Sequence, residues 1–566
     1  MMALKIFQHM SNLLKNSERF TDKEGNVFVH TVLEAIENLD SEFIGLLLDD
    51  EKAKEQFFIS VKGIFVLNQN KLIEFFTMNE FSKNSYTSYT NKIGLIKKDS
   101  FIKKFDDVVL AWPHKDCILE GGQSKDDEKN NEVFYNEILS RDEIDRLFEP
   151  KALTNIKRYT QEGVENNPEI TEDDNLIIKG NNLIALHSLK KIYAKDGGKI
   201  KLIYIDPPYN TGNDSFNYND KFNHSTWLTF MKNRLEVARE LLRDDGVIFV
   251  QCDDNEQAYL KVLMDETFGR ESFLNDIIWK RKGGKTSPDA KKLENSTDHI
   301  LFYQNRKGFE LNFLFTKHNS KEYIETQFKY QDEKGRRYRL SPLNAPQPRP
   351  TLQYEFMGYK PHPNGWSVSQ ETLQKYYEQG KLVFPKDKEG RTNRKQYLDE
   401  WAGYAVNSLW DDIALIAPSS NERRNFDRGQ KPEKLIQRII ELSTNEGDII
   451  LDYHLGSGTT AAVAHKMNRR YIGIEQMDYI EDIAVERMKK VIEGEQGGIS
   501  KAVDWSGGGS FIYAELKQID TFKDAEIGKL NKNMHYLPVS EIEDDEYKIS
   551  SGEIAINKQF YGLENV

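Results

Sequence analysis

KLIYIDPPYNT, residues 201–211, joins an apolar run to an acid, two prolines and a tyrosine. An apolar stretch that ends at Ile205 without alternation predicts a strand buried on both faces, as in a parallel sheet. Pro207 and Pro208 fix φ and offer no N–H, so the strand stops there. The turn then holds the Asp206 carboxylate, stiff backbone carbonyls and the Tyr209 ring at the carboxyl end of a strand, where open α/β sheets bind ligands. Asp-Pro turns also close strands with no chemistry attached. This one is suited to a delocalised aromatic amine, a poor nucleophile. The Asp206 carboxylate and the Pro207 carbonyl would each accept one N–H and localise the lone pair, with Tyr209 stacked on the ring.

The flanking sequence has the rhythm such a sheet needs. Upstream, NLIIKGNNLIALHSLKKIY (175–193) predicts a strand, a turn and a helix. Downstream, WLTFMKNRLEVARELLRDDG (227–246) has apolar residues at helical spacing with Gly246 as the predicted stop, VIFVQCDD (247–254) predicts a buried strand, and EQAYLKVLMDETFG (256–269) another helix. Strand and helix in alternation predict a doubly wound, mostly parallel α/β sheet. The rhythm breaks over 283–420, which is basic, rich in Tyr and Phe, and punctuated by PLNAPQPRP (342–350) and YKPHPNGW (359–366). That segment reads as an inserted domain. The rhythm resumes at KPEKLIQRIIELSTNEGDIILDYHLGSGTTAAVAHKMNRRYIGIE (431–475). The expected organisation is a mainly helical region over 1–115, one half of the sheet over 116–282, the insert over 283–420, the second half over 421–515, and an acidic tail or small domain over 516–566. GGQSKDDEKNNE (121–132) is expected to be a linker.

With 566 residues the chain is too long for one ordinary core. No apolar run approaches a membrane span and the N-terminus lacks a signal-peptide pattern, which suggests a cytoplasmic protein. Cys117 and Cys252 stand apart from each other and from any His cluster, so neither a disulfide nor a metal site is expected. The net charge of −13 argues against a nucleic-acid partner until its distribution is considered. Between 279 and 400, 24 Lys and Arg face 15 Asp and Glu. A basic island in an acidic chain is what neutralising a polynucleotide backbone requires.

DIILDYHLGSGTTAAVAHK (448–466) is a strand, a Gly-rich turn and a helix of small residues. Glycines let backbone approach a ligand, and the helix N-terminus offers free N–H groups. A triphosphate loop would need a Lys that is missing here. The dinucleotide fingerprint is met formally by Gly456, Gly458 and Ala461, with Glu475 ending the next strand. S-adenosylmethionine binds similar loops, and Asp452, Thr459 and Thr460 add polar groups for its methionine moiety, with Ser457 a further donor-binding candidate. Hydride transfer has no use for the D-P-P-Y turn, whereas a methyl donor does.

Together these residues resemble the amino-methyltransferases of DNA: DPPY (206–209) is similar to their catalytic motif and LDYHLGSGTT to their donor-binding motif, Gly456 lying 250 positions after Asp206. This order, with a recognition insert between the halves, is that of the circularly permuted β class, which implies a Rossmann-like methyltransferase core. KPEKLI (431–436) resembles the segment that closes over the donor, giving Lys431 and Pro432 as donor-binding candidates. GVIFVQCDDNE (246–256) and STDHILFY (296–303) resemble two further motifs of the family. DPPYNTG, WKRKGGKTSPDAKKLENSTDHILFY and WSGGGSF resemble the modification subunit of type III restriction–modification systems. The resemblance implies N6-methylation of adenine on one strand of double-stranded DNA, with Asp206, Pro207, Pro208 and Tyr209 at the catalytic turn and no metal. Enzymes acting on cytosine N4 usually carry Ser in place of the Asp. It also implies a homodimer and a separate helicase–endonuclease partner. The insert would choose the site, with Arg336, Arg337, Arg339 and Arg349 as candidate DNA contacts. Two positions depart from the family pattern: His454 replaces a Phe that packs on the donor, and Asn181 replaces an Asp after Gly180.

Overall fold

The computed structural model describes residues 9–563 other than 11, 16, 18, 22–26, 82–93, 98–99, 102–108, 112–116, 120, 122–133, 136–140, 213–221, 283–292, 307, 317–320, 388–389, 425, 427–428, 519–535 and 543–548. The expected linker at 121–132 lies almost wholly outside them, as does most of the acidic tail. The chain divides into two compact units, Met1–Asn312 with Ser408–Val566, and Phe313–Asn407.

The larger unit is built on eleven strands. In chain order they are β1 (Leu153–Thr160), β2 (Gly163–Asn166), β3 (Leu176–Lys179), β4 (Ile200–Ile205), β5 (Leu242–Cys252), β6 (Phe273–Lys280), β7 (Thr297–Gln304), β8 (Leu409–Trp410), β9 (Ile449–Asp452), β10 (Arg470–Glu475) and β11 (Phe511–Leu516). Across the sheet they run β8-β6-β7-β5-β4-β9-β10-β3-β11-β1-β2. The stretch from β5 to β11 is parallel throughout. Antiparallel β7 flanks it on one side and β1 on the other. All residues of β4 and β9 are buried, which is why their sequences show no alternation. The packed helices are α1 (Asn182–Tyr193), α2 (His224–Leu241), α3 (Gln257–Phe268), α4 (Glu433–Ser443), α5 (Thr459–Lys466), α6 (Glu486–Ile492) and α7 (Ser551–Tyr561).

The two halves of the chain meet at the centre of this sheet. β4 and β9 are direct neighbours, with Leu202 opposite Ile450 and Ile203 opposite Leu451. From β4 the chain moves to β5 on one side, and from β9 to β10 on the other. Strand order therefore reverses between them, and such a switch point opens a crevice at the carboxyl ends.

Three expectations need correcting. Helix α2 stops at Leu241, not Gly246, because Leu242 is already paired with Ile200 and the Lys199 N–H takes the Leu241 carbonyl at 3.1 Å. Gly246 instead lies inside β5, where a Cβ would come within 3.0 Å of the Ile200 carbonyl oxygen. The insert is narrower than 283–420: Thr297–Gln304 and Leu409–Trp410 are strands of the main sheet, leaving Phe313–Asn407 as the separate unit. That unit has a four-stranded antiparallel sheet and a small core of Leu343, Phe356, Trp366 and Leu373. The segment after 515 is more than a tail, since α7 buries Ile556, Phe560 and Tyr561 in the main core. The N-terminal region has its own core around Phe43, Phe57 and Phe75, and includes a β-hairpin, Phe58–Val61 with Ile64–Leu67, among its helices. Among the described residues no helix is long and apolar enough to cross a membrane, and no acid, His or Cys group could hold a metal ion.

Candidate active site

A cleft of about 460 Å³ opens at the switch point, lined by the D-P-P-Y turn after β4 and the glycine loop after β9. Asp206 to Tyr209, Lys431, Asp452, His454, Gly456, Ser457, Thr459, Thr460 and Glu475 all contribute to its walls. Residues 250 apart in sequence face one space because β4 and β9 are adjacent.

The D-P-P-Y turn is held from several sides. The indole Nε1–H of Trp227, on α2, donates to the Pro208 carbonyl at 2.8 Å. The Pro207 carbonyl accepts nothing from the described residues and stays available. The Tyr209 hydroxyl donates to Asp206 Oδ1 at 2.7 Å, and the Lys431 ammonium donates to Asp206 Oδ2. Burial pushes the Asp206 carboxyl above its ordinary range, although Lys431 and Tyr209 pull it back. Asn210 completes the turn at φ +58°, its side chain accepting from Phe222 N–H and donating to Glu256. Lys431, a donor-binding candidate, thus bonds Asp206 through its ammonium, while its carbonyl accepts from Thr459 Oγ1 of the glycine loop at 3.3 Å. Pro432 caps the start of α4 with φ −65° and ψ 137°.

The glycine loop is equally constrained. Gly456 and Gly458 have φ +53° and +74°, a region that disfavours other residues. Thr460 Oγ1 donates to Asp452 Oδ2 at 2.6 Å and His454 N–H to Oδ1 at 3.0 Å. Burial still drives the Asp452 carboxyl up to about 7. Glu475 accepts N–H bonds from Gly456, Gln476 and Met477, and burial raises its carboxyl too. His454 is driven down to about 3, chiefly by burial, so its imidazole is neutral. It packs beside Phe230 and Tyr453, with Nε2 3.4 Å from Asn182 Nδ2. Asn181 is fully buried but caps α1, accepting from Leu183 and Ile184 N–H; it does not line the cleft.

Several residues that were not site candidates from sequence brace this site. Glu433, at the start of α4, is buried against Lys466 and Arg487. The Arg487 guanidinium also donates to Thr459 Oγ1 at 2.8 Å, tying the start of α4 to the glycine loop. Asp298 on β7 accepts from Gln251 at 2.9 Å and lies beside Arg281. In the smaller unit the four arginine candidates differ. Arg336 is engaged by Asp399 and Glu400 and stacked over Tyr397, and Arg339 is bonded to Gln396. Arg337 and Arg349 make no side-chain hydrogen bond or ion pair with the described residues, and Arg349 is exposed.

Residues 200–486 match the sequence pattern of the family described as DNA methylase, and with a cleft of this construction the chain is a DNA methylase. Residues 40–95 match a second pattern, described as type III restriction/modification enzyme methylation subunit. The chain is 40% identical to the probable type III restriction-modification enzyme HindVI Mod subunit of Haemophilus influenzae, over 89% of this chain and 84% of that one. It therefore belongs to the Mod subunits of type III restriction–modification enzymes. It is also similar to the StyLTI Mod subunit of Salmonella typhimurium, at 32% identity over 52% of this chain and 50% of that one. For the EcoP15I Mod subunit of Escherichia coli the figures are 27%, 53% and 57%. Among solved structures, the M1.HpyAVI–SAM complex overlaps with a TM-score of 0.30 at 16% identity, covering 55% of this chain and 98% of that one.

Proposed function

We propose that this methylase transfers a methyl group from S-adenosylmethionine to N6 of a flipped adenine, on one strand of double-stranded DNA. In this reading it is the modification and recognition subunit of a type III system, a cytoplasmic homodimer that pairs with a helicase–endonuclease subunit. The observation that supports it best is the single cleft shared by the D-P-P-Y turn and the glycine loop. Asp206, Asp452 and Glu475 all carry carboxyls raised by burial. A site that strains three acids toward neutrality is suited to a cationic ligand, which restores their charge. When bound, the donor supplies an electrophilic methyl on a positive sulfonium. Asp452, Ser457, Thr459, Thr460 and Glu475 are the residues to hold it, with Pro432 setting the start of α4 behind Lys431.

The chain's own work is then to present the amine. The base leaves the duplex stack at a cost of a few kcal/mol, and stacking on Tyr209 offsets about 1–3 kcal/mol of it. The free Pro207 carbonyl and the Asp206 carboxylate accept the two N6–H groups, the second contact shared with or taken over from Lys431. After transfer the N6 ammonium is acidic and loses its proton to Asp206 or water. In the basic unit, Arg337 and Arg349 have their donors open for phosphate or base contact, whereas Arg336 and Arg339 are partly committed within the unit.

Incubation with DNA and labelled donor, digestion to nucleosides and mass analysis tests the reading. N6-methyladenine is expected, and Asp206→Ala should abolish it while still binding donor. Formation of N4-methylcytosine, or substantial activity in Asp206→Ala, would overturn the assignment. Long-read sequencing of the modified DNA gives the site.

A further inference from the structure

Asp298 is, with Asp253, one of two cleft acids that the chemistry above leaves unused. Its side chain is 2% exposed, a costly place for a carboxylate without partners. Oδ2 receives the Gln251 amide at 2.9 Å and the Tyr209 hydroxyl at 3.4 Å; Gln251 in turn accepts from Tyr204 at 2.8 Å. Oδ1 faces Arg281 Nε at 3.1 Å, an ion pair in which neither atom reaches hydrogen-bond alignment. Arg281 follows β6 and lines the cleft. Its two terminal nitrogens have no partner among the described residues. A guanidinium carries five donors in a planar fork, so most of this one is unspent.

Five carboxylates line the cleft, Asp206, Asp253, Asp298, Asp452 and Glu475, with two cations, Lys431 and Arg281. Lys431 is already on Asp206. Arg281 is the cation with open donors, and it belongs to the D-P-P-Y side of the switch point. β6 and β7 extend the β4–β5 half, while the glycine loop and Glu475 belong to β9 and β10. A cationic donor would avoid it. A base whose amine sits at Asp206 presents a ring acceptor on either side of that amine, N1 and N7 in adenine. The Tyr209 hydroxyl touches both Asp206 and Asp298, so the arginine is one hydroxyl and one carboxylate removed from the amine site.

We propose that Arg281, anchored by Asp298, donates a hydrogen bond to the ring nitrogen beside the target amine and thereby orients the flipped base. The inference rests on the adenine-methylation reading above. The test uses duplexes carrying the site found by sequencing, with the target adenine replaced by 1-deazaadenine or 7-deazaadenine. Wild type should lose about ten- to a hundredfold in kcat/KM with one of the two, the range for a hydrogen bond to a charged group. Arg281→Met should lose a similar factor on normal DNA, with unchanged donor affinity, and lose nothing further on that analogue. Arg281→Lys, which keeps the charge but not the fork, should fall between. Full wild-type rates on both analogues would overturn the proposal without need of any variant, as would analogue losses that persist in full in Arg281→Met. A wild-type enzyme that forms no N6-methyladenine even on normal duplex would instead condemn the adenine reading itself.

Discussion

Asp452 shows how much of the site's behaviour rests on single buried groups. Its carboxyl, pushed by burial to about 7, would lose its proton near 3.8 in an unfolded chain. The folded protein therefore binds an extra proton between about pH 4 and pH 7, and this group's contribution to stability falls as pH rises through that window. A cationic donor favours the ionised form, so its affinity should move the opposite way. Donor dissociation constants measured from pH 6 to pH 8 should tighten for wild type. Asp452→Asn should bind more weakly at pH 8 and show a flatter profile. Asp253, raised to about 6 in the same cleft, and Asp206 and Glu475, both raised by burial, are the competing sources, and an unchanged slope in Asp452→Asn would shift the assignment to them. His454 is excluded, because at about 3 it does not titrate in that range. Its neutrality also explains how an imidazole stands where the family has a Phe.

At the scale of elements, the catalytic turn and the helix beneath it form one device. Trp227 sits on α2, and its indole is fully buried against the Pro208 carbonyl. Trp227→Phe keeps the ring but leaves that carbonyl unpaired, at a cost of about 1–3 kcal/mol. The turn should loosen, so kcat should fall by about tenfold while donor affinity holds, measured by single-turnover methylation beside a donor-binding titration. A loss confined to donor binding would show that α2 supports the other loop instead. This contact also marks the limit of what the sequence tells. DPPY and LDYHLGSGTT were legible because each carries its chemistry within a few consecutive residues, and the alternation of strand and helix placed both at strand ends. Trp227 and Arg487 gave no signal, and Arg281 and Asp298 gave none beyond lying in segments that resemble the family, because only folding brings their partners to them. Lys431 was found by resemblance, but its ion pair with Asp206 was not, since nothing local says that the start of α4 faces β4. The departure at Asn181 is understood physically: it is an N-cap, and Asn and Asp serve equally there.

At the scale of the whole molecule, the segment beyond the last motif closes the sheet that the motifs occupy. Asn557 on α7 is fully buried, accepting from Leu153 N–H at 2.7 Å and donating to the Leu153 carbonyl at 2.8 Å. Leu153 begins β1, which pairs with β11 at the flank of the parallel run. The Tyr561 hydroxyl donates to the Lys151 carbonyl at 2.9 Å, and the Tyr536 hydroxyl accepts from Asn181 N–H at 3.0 Å, beside the turn that leads into α1. Composition marked this region only as acidic and polar, because its buried residues are few and widely spaced. Asn557→Ala leaves two buried backbone groups without partners and should cost about 2–4 kcal/mol. Thermal melting should register this as a clear fall in midpoint. Methylation rates well below the transition should stay close to wild type, since no cleft residue is touched. Asn557→Asp separates hydrogen bonding from packing: it still accepts from Leu153 N–H but sets a carboxylate against the Leu153 carbonyl, so it should be no more stable than the Ala variant. If both variants melted with wild type, α7 would be a passenger on the sheet, and the motif-bearing halves would close their core without it.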